Sequence, residues 1–557
     1  MGLKLFVIGL DGATLDLLDP WVQQGYLPTL QRLIRRGTVG PLLSTFPPLT
    51  GPAWSSFMTG KSPGHHGVFE FFRHQPASYS QRLNTRLDIR GRSLWRLLSD
   101  GGKKVGVMGV PLTYPPEEVD GFIITGLLTP PRARDHTYPP QILGELRQQL
   151  GEYRLRHDEK YRPSDPYPFI KEQFDILENN TQAALHLLSS KPWDFFMVHI
   201  LGTDRMQHEF WHTLDPRHPR HDPDEVQALG NVVLEFFQRV DEAIARLLAQ
   251  LDGDTAVLIM SDHGFGPIYS FVNFNTWLLR EGLLQLKQTV ATRLRYLLFR
   301  LGFNYSIVGN WVLKLGFGRR AVQMGRASRE AWQRRLFLSL NDVDWARTRV
   351  YSMGNFGQFY VNLKGRERDG IVAQGPEYEA LLEEVSSRLR ALTDPNTGAP
   401  VVERIMRREE LYSGPYAEQA PDLLFLTRNM EYKAMGLSDF SSYSVFEPVF
   451  GTTGHHRMNG LLIGYGPGIF KEGANIVGAR IQDLAPTILY LMGQPIPRDM
   501  DGRLLLDLFT EQFRAAHAAH YDYLEMEPGS RHDGDGVLNT DEEAALAAQL
   551  RSLGYVT

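Results

Sequence analysis

The chain has 557 residues, of which 42% are hydrophobic and 22% charged, ordinary proportions for a folded globular protein of one or more domains. A formal net charge of -5 excludes a general electrostatic attraction to nucleic acid polymers, whose binders carry a clear basic excess. Cysteine is absent, which excludes disulfides and thiolate metal ligands and leaves His, Asp and Glu to hold any metal.

In chain order, Leu5 to Leu10 is a continuous apolar run ended by Asp11-Gly12, the pattern of a buried parallel strand. It is too short for a secretory core and runs straight into Asp11, so the chain is expected to be cytoplasmic. No window reaches the roughly 18 apolar residues of a membrane span. Asp11 falls at a strand's carboxyl end, where open α/β sheets bind ligands, although alone it serves equally well as a helix cap. Residues 20–37 are expected to form one helix with Leu27, Leu30, Leu33 and Ile34 turned inward. Pro47-Pro48-Leu49-Thr50-Gly51-Pro52 then sets Thr50 between a turn and a helix start, where unpaired backbone N–H groups suit a phosphoryl group. A threonine hydroxyl needs a base or a metal to act as a nucleophile.

Further buried strands are expected at 105–110, 121–127, 193–200 and 256–260, with helices at 171–190 and 233–251 and a polar region at 130–170. Asp204 and His208 follow the third of these strands four residues apart, which places both on one helical face. His199 reads as a satisfied core histidine, and His212 and His218 as rim residues. Ser261-Asp262-His263-Gly264 ends the fourth strand, where a glycine frees the backbone and lets adjacent side chains turn to one ion. Of the adjacent His455 and His456, the latter is preferred by its place before Arg457, with His455 in reserve. Six carboxylates and imidazoles can hold two divalent ions with Thr50 between them, zinc first and manganese as the alternative.

These motifs, in this order over residues 5–468, resemble the alkaline phosphatase superfamily, specifically its type I phosphodiesterase and nucleotide pyrophosphatase branch. The resemblance implies an α/β three-layer αβα sandwich with a central, mostly parallel sheet and a small strand-rich subdomain. It further implies one metal on Asp204, His208 and His456, and a second on Asp11, Asp262 and His263. Thr50 would attack phosphorus in line and form a phosphothreonine that is then hydrolysed. Nucleotide pyrophosphatases place a phosphate-contacting asparagine five residues beyond the histidine of a His-Gly-Ile motif; counting from His66-Gly67-Val68 gives Phe71 here. Arg73 is the candidate substitute, and its guanidinium would favour a doubly charged monoester. A phosphodiesterase acting on a small phosphate ester is therefore expected, with a phosphomonoesterase or a phosphoglycerate-mutase-like phosphotransferase as the alternative. A sulfatase is disfavoured, because its modified Cys or Ser is followed by Pro and then Arg, where Trp54 stands in this chain.

Residues 270–345 break the strand-helix rhythm. From Arg280 to Arg335, twelve Lys and Arg stand against Glu281 and Glu330 among many apolar residues. Such a stretch allows a peripheral membrane contact through 280–335, a cap over a phosphate-rich site, or simply a solvated basic face. A non-catalytic membrane-surface scaffold is the reading from another class; six clustered ligands oppose it, since unused carboxylates repel one another. The expected organisation is a catalytic body at 1–268 and 346–510, a helical basic insertion at 269–345, and a tail at 511–557. In the tail, Asp533 to Glu542 resembles a calcium loop, but its first ligand position is Arg531, so it reads as a polar turn before a helix.

Overall fold

Apolar runs without alternation become strands buried on both faces, and helices must then cover each side of the sheet. The computed structural model, which describes residues 3–303, 337–436, 440–523 and 537–553, shows this arrangement. Its main strands are β1 (Leu5–Leu10), β2 (Thr38–Leu43), β3 (Val105–Met108), β4 (Gly121–Ile124), β5 (Phe195–Ile200), β6 (Ala256–Met260) and β7 (Asn459–Tyr465). Their order is β2-β7-β6-β1-β5-β3-β4, extended by short edge strands at Ala474–Asn475 and Thr137–Tyr138. Strands β6, β1, β5, β3 and β4 run parallel, while β7 is antiparallel to both β6 and β2. Alternation divides the core: Leu5 and Val7 face one helical layer, and Phe6, Ile8 and Leu10 the other. Two helices matter for the site, α1 (Thr50–Thr59) and α2 (Gly202–Leu214).

Several local expectations are corrected. The helix expected over 20–37 is two helices, Leu15–Gln23 and Pro28–Arg36. Gly25, at φ +79°, turns the chain between them, and Pro28 restarts the helix in its first turn. β2 was not anticipated, because Gly40 and Pro41 interrupt its pattern. The polar region at 130–170 contains a helix, Gln141–Leu150.

A second core lies in a four-stranded antiparallel sheet in the order Val350–Ser352, Gln358–Val361, Leu423–Thr427, Val402–Arg407. Phe274, Trp277, Leu278 and Leu284 share that core with Tyr351, Phe359, Leu382 and Phe425. The start of the insertion expected at 269–345 is thus packed into the strand-rich subdomain. Next comes α3 (Val290–Arg300); residues 304–335 of the basic stretch lie outside the described residues. Among the described residues, no helix is long and apolar enough to cross a membrane. The terminal helix Thr540–Ser552 inserts Leu546 and Leu550 into the main core. Glu542, the last position of the calcium-like sequence, accepts a hydrogen bond from the Asn539 N–H (2.9 Å) in a capping box. Residues 531–536 of that sequence lie outside the described residues.

The subdomain is locked by one buried carboxylate. Asp422 accepts hydrogen bonds from Arg366 (2.8 and 2.6 Å), Arg408 (3.1 Å), the Tyr378 hydroxyl (3.0 Å) and the Val361 N–H (2.7 Å). Asp422→Ala strands these donors, and we expect a loss of about 3–5 kcal/mol, the scale for breaking one side of a buried ion pair. Urea unfolding checks this; an unchanged midpoint would show that the network adds no stability.

Candidate active site

Topology brings the polar residues to one rim. β6, β1 and β5 are parallel neighbours, so Asp262, Asp11 and Asp204 all follow carboxyl ends on the same side of the sheet. β7 runs the other way and begins at that rim. The ribbon Gly454–Arg457, paired with Gly264–Pro267 in the register Phe265↔His456, delivers His456 just before β7. β2, antiparallel to β7, leads the chain to the rim again, and Thr50 opens α1 there after an extended Leu49 (φ -119°, ψ 140°).

All six candidate ligands and Thr50 are fully buried and lie together. Thr50 Oγ1 is 3.2 Å from His263 Nε2. His263 Nε2 lies 3.3 Å from Asp262 Oδ2 and 3.6 Å from Asp11 Oδ1. Asp204 Oδ1 is 3.4 Å from His208 Nε2 and 3.3 Å from His456 Nε2, and those two nitrogens are 3.1 Å apart. The imidazoles are oriented by the backbone. His208 Nδ1 faces Gly454 O (2.9 Å), His263 Nδ1 faces Gly264 O (3.0 Å), and His456 Nδ1 faces Pro48 O (2.9 Å). A carbonyl only accepts, so each Nδ1 carries the proton and each Nε2 turns a lone pair inward.

The donor set fits divalent metal ions. Asp11 Oδ1 and Asp262 Oδ2 are buried without a hydrogen-bond partner, whereas the other oxygen of each is engaged. The Gly12 N–H donates to Asp262 Oδ1 (3.2 Å), and His199 Nε2 lies 2.8 Å from Asp11 Oδ2. Ligand atoms of Asp11, Asp262 and His263 lie within 4.8 Å of one another, as do those of Asp204, His263 and His456. Burial, reinforced by the Asp262 and Asp204 charges, raises the Asp11 carboxyl well above its usual range, and burial raises Asp262. Burial also pushes His263 down to about 4 and His456 down to about 3. Carboxyls that resist ionisation beside imidazoles that resist protonation form a site that a cation completes.

The remaining sequence candidates are placed as follows. His455 is buried, its ring stacked on Phe356 (4.4 Å), with both nitrogens lacking a hydrogen-bond partner and within ligation reach of His208 and His456. Phe71 is buried against the first turn of α1, where a Cβ on Gly51 would meet its ring at 3.2 Å. Arg73 points its guanidinium at Asp88 (3.9 Å) and makes no hydrogen bond or ion pair with the ligand cluster. His212 and His218 are not rim residues: both are buried, and His212 lies 3.2 Å from Glu225. His199 is buried as expected, but its partner is Asp11, and its ring meets Trp54 edge-on at 4.9 Å. That role rests on the register Gly9↔His199, which no spacing in the sequence reveals.

Among solved structures, phosphonoacetate hydrolase from Sinorhizobium meliloti 1021, in complex with phosphonoformate, is similar with a TM-score of 0.51 and 14% identity, covering 88% of this chain and 95% of that one. Murine ectonucleotide pyrophosphatase/phosphodiesterase 5, as an inactive variant with AMP, gives a TM-score of 0.51 at 12% identity, covering 91% of this chain and 100% of that one. Comparison with curated proteins gives no match. The sheet and its neighbours define the alkaline phosphatase fold, and the protein is a phosphoric ester hydrolase. Residues 5–330 match the type I phosphodiesterase/nucleotide pyrophosphatase family, and the chain belongs to it.

Beside the site, Glu70 is buried and its carboxyl is pushed up to about 8 by burial, opposed in part by the Phe71 and Asn355 N–H groups. An acid raised in the folded state holds its proton there while the unfolded chain has lost it, so folding stability falls as pH rises from about 4.5 to about 8. Glu70→Gln keeps the acceptor without the charge. We expect the melting temperature of this variant, relative to wild type, to climb across that window; a constant difference would show that Glu70 does not titrate with folding.

Proposed function

We propose that the protein hydrolyses phosphodiesters of small organic molecules through a covalent phosphothreonine on Thr50. Two divalent ions, zinc in first place, would be held by Asp204, His208 and His456 and by Asp11, Asp262 and His263. When bound, such ions supply Lewis-acid stabilisation to the entering and leaving oxygens of an in-line displacement. The observation that carries this reading is the position of Thr50 Oγ1, 3.2 Å from Nε2 of His263, which groups with Asp11 and Asp262 and also lies within ligation reach of Asp204 and His456.

The Thr50 hydroxyl gives its proton to solvent as its oxygen attacks phosphorus, the P–O bond to the leaving group breaks, and the departing oxygen keeps the electron pair and is protonated by solvent. Water then attacks the phosphothreonine from the opposite side and restores the Thr50 hydroxyl. In the first turn of α1, Pro52 has no N–H and the Ala53 N–H is bound to Leu49 O, so the Thr50 and Gly51 N–H groups are the ones that would receive phosphoryl oxygens. A diester is favoured over a monoester because Phe71 presents an apolar ring beside α1 and Arg73 is directed to Asp88. No guanidinium is thereby offered to a second phosphate charge from the position where the sequence suggested one.

The test is hydrolysis of bis(p-nitrophenyl) phosphate against p-nitrophenyl phosphate by metal-loaded protein, with ions counted by elemental analysis. We expect two ions per chain, a diester preference, and a loss on the order of 10³-fold or more in Thr50→Ala, the scale for removing a nucleophile. Full activity in Thr50→Ala would overturn the covalent route; monoester preference would overturn the diester assignment.

A further inference from the structure

Helix α3 is apolar on the face turned away from the protein. Its inner face is fixed: Thr292 Oγ1 donates to Asp342 Oδ1 (2.8 Å), and Phe299 packs against Phe440 and Tyr443 at 6.0 and 5.9 Å. The outer face carries Val290, Leu294, Leu297 and Leu301, spaced i, i+4, i+7 and i+11, with Phe303 just beyond. These five are 85%, 57%, 51%, 70% and 56% exposed. A helix apolar all round is normally buried all round, and a contiguous exposed stripe marks a contact surface. Elsewhere among the described residues, the large exposed apolar side chains are scattered along the chain.

The charge beside the stripe has one sign. Lys287, Arg293 and Arg300 are exposed around it. Arg293 donates to Gln288 Oε1 (3.1 Å) and Arg300 lies over the Tyr443 ring (5.7 Å). Neither is ion-paired with a carboxylate among the described residues. The sequence has no Asp or Glu from 282 to 329, although the whole chain is acidic at -5. An acidic protein is repelled by an anionic surface unless a local patch supplies the attraction, and a helix that joins leucines to flanking arginines does so.

We propose that the outer face of α3 docks on an anionic phospholipid bilayer. The stripe of Val290, Leu294, Leu297 and Leu301 enters the boundary between headgroups and acyl chains, and Arg293 and Arg300 meet lipid phosphates. The helix is eleven residues long and lies along the surface rather than across it. Attachment by one such helix is reversible and weakened by salt, because part of it is screened Coulomb attraction. This surface is independent of the reaction proposed at Thr50.

The test is sedimentation of the full-length protein with phosphatidylcholine vesicles, with and without phosphatidylglycerol. We expect pelleting that requires phosphatidylglycerol and falls with salt, is abolished in Leu294→Glu/Leu297→Glu, and is reduced severalfold in Arg293→Glu/Arg300→Glu. Both variants change exposed residues, and unchanged circular dichroism and diester hydrolysis would confirm their folding. As an independent readout, Leu301→Cys supplies the only thiol in the chain; an environment-sensitive dye on it should shift to the blue on adding phosphatidylglycerol vesicles. Wild-type protein left in the supernatant with both vesicle types, or no dye shift, would overturn the proposal. So would a wild-type dimer that Leu294→Glu/Leu297→Glu converts to monomer without any lipid binding, since the face would then belong to a second copy.

Discussion

Two imidazole nitrogens with inward lone pairs, 3.1 Å apart and beside a buried carboxylate oxygen, form the constraint on which the rest of the site depends. Such atoms repel one another, and in a low dielectric the repulsion is large. A fold that holds them together must fix them from outside and leave room for positive charge between. The fixing is visible: three Nδ1–H groups bound to three carbonyls, the Gly12 N–H on one carboxylate, and His199 beside another.

Those clamps also tie Thr50 to its surroundings. The carbonyl that orients His456 belongs to Pro48, two residues before Thr50, so the loop that presents the hydroxyl sets the direction of a candidate ligand. Trp54, one turn further along α1, meets the ring of His199, which in turn touches Asp11. Substitutions in the first turn of α1 therefore act on the ligand geometry as well as on the hydroxyl. Trp54 is buried against Gly9, where a Cβ would meet the indole at 2.7 Å, so a side chain there would force the indole to shift.

Much of the site could be read from the sequence because it follows a simple rule: an apolar run, then a polar residue at its carboxyl end. Asp11, Asp204 and Asp262 obey it directly. His456 does not, since it precedes its strand; only the antiparallel course of β7 makes that position equivalent, and strand direction is not written in composition. β2 was hidden by Gly40 and Pro41, and the role of His199 by a register that spacing cannot supply. Phe274 and Trp277 looked like the start of an independent helical insertion, because their packing partners, Phe359 and Phe425, lie many residues further along the chain. His212 and His218 sit in a polar sequence, yet packing buries both, and polarity alone cannot tell a rim from a buried network.

The ribbon that carries His456 has a consequence for how the molecule can diversify. The chain leaves the main sheet after β6, passes through Gly264–Pro267, and returns through Gly454–Arg457, where Pro267 pairs with Gly454. The strand-rich subdomain and α3 are thus one long excursion whose ends are held side by side at the rim. An excursion with adjacent ends can grow, shrink or be exchanged at small entropic cost, because closing entropy rises only slowly with length. The excursion can then change as a cassette, while β1, β5 and β6 keep Asp11, Asp204 and Asp262 gathered at the rim.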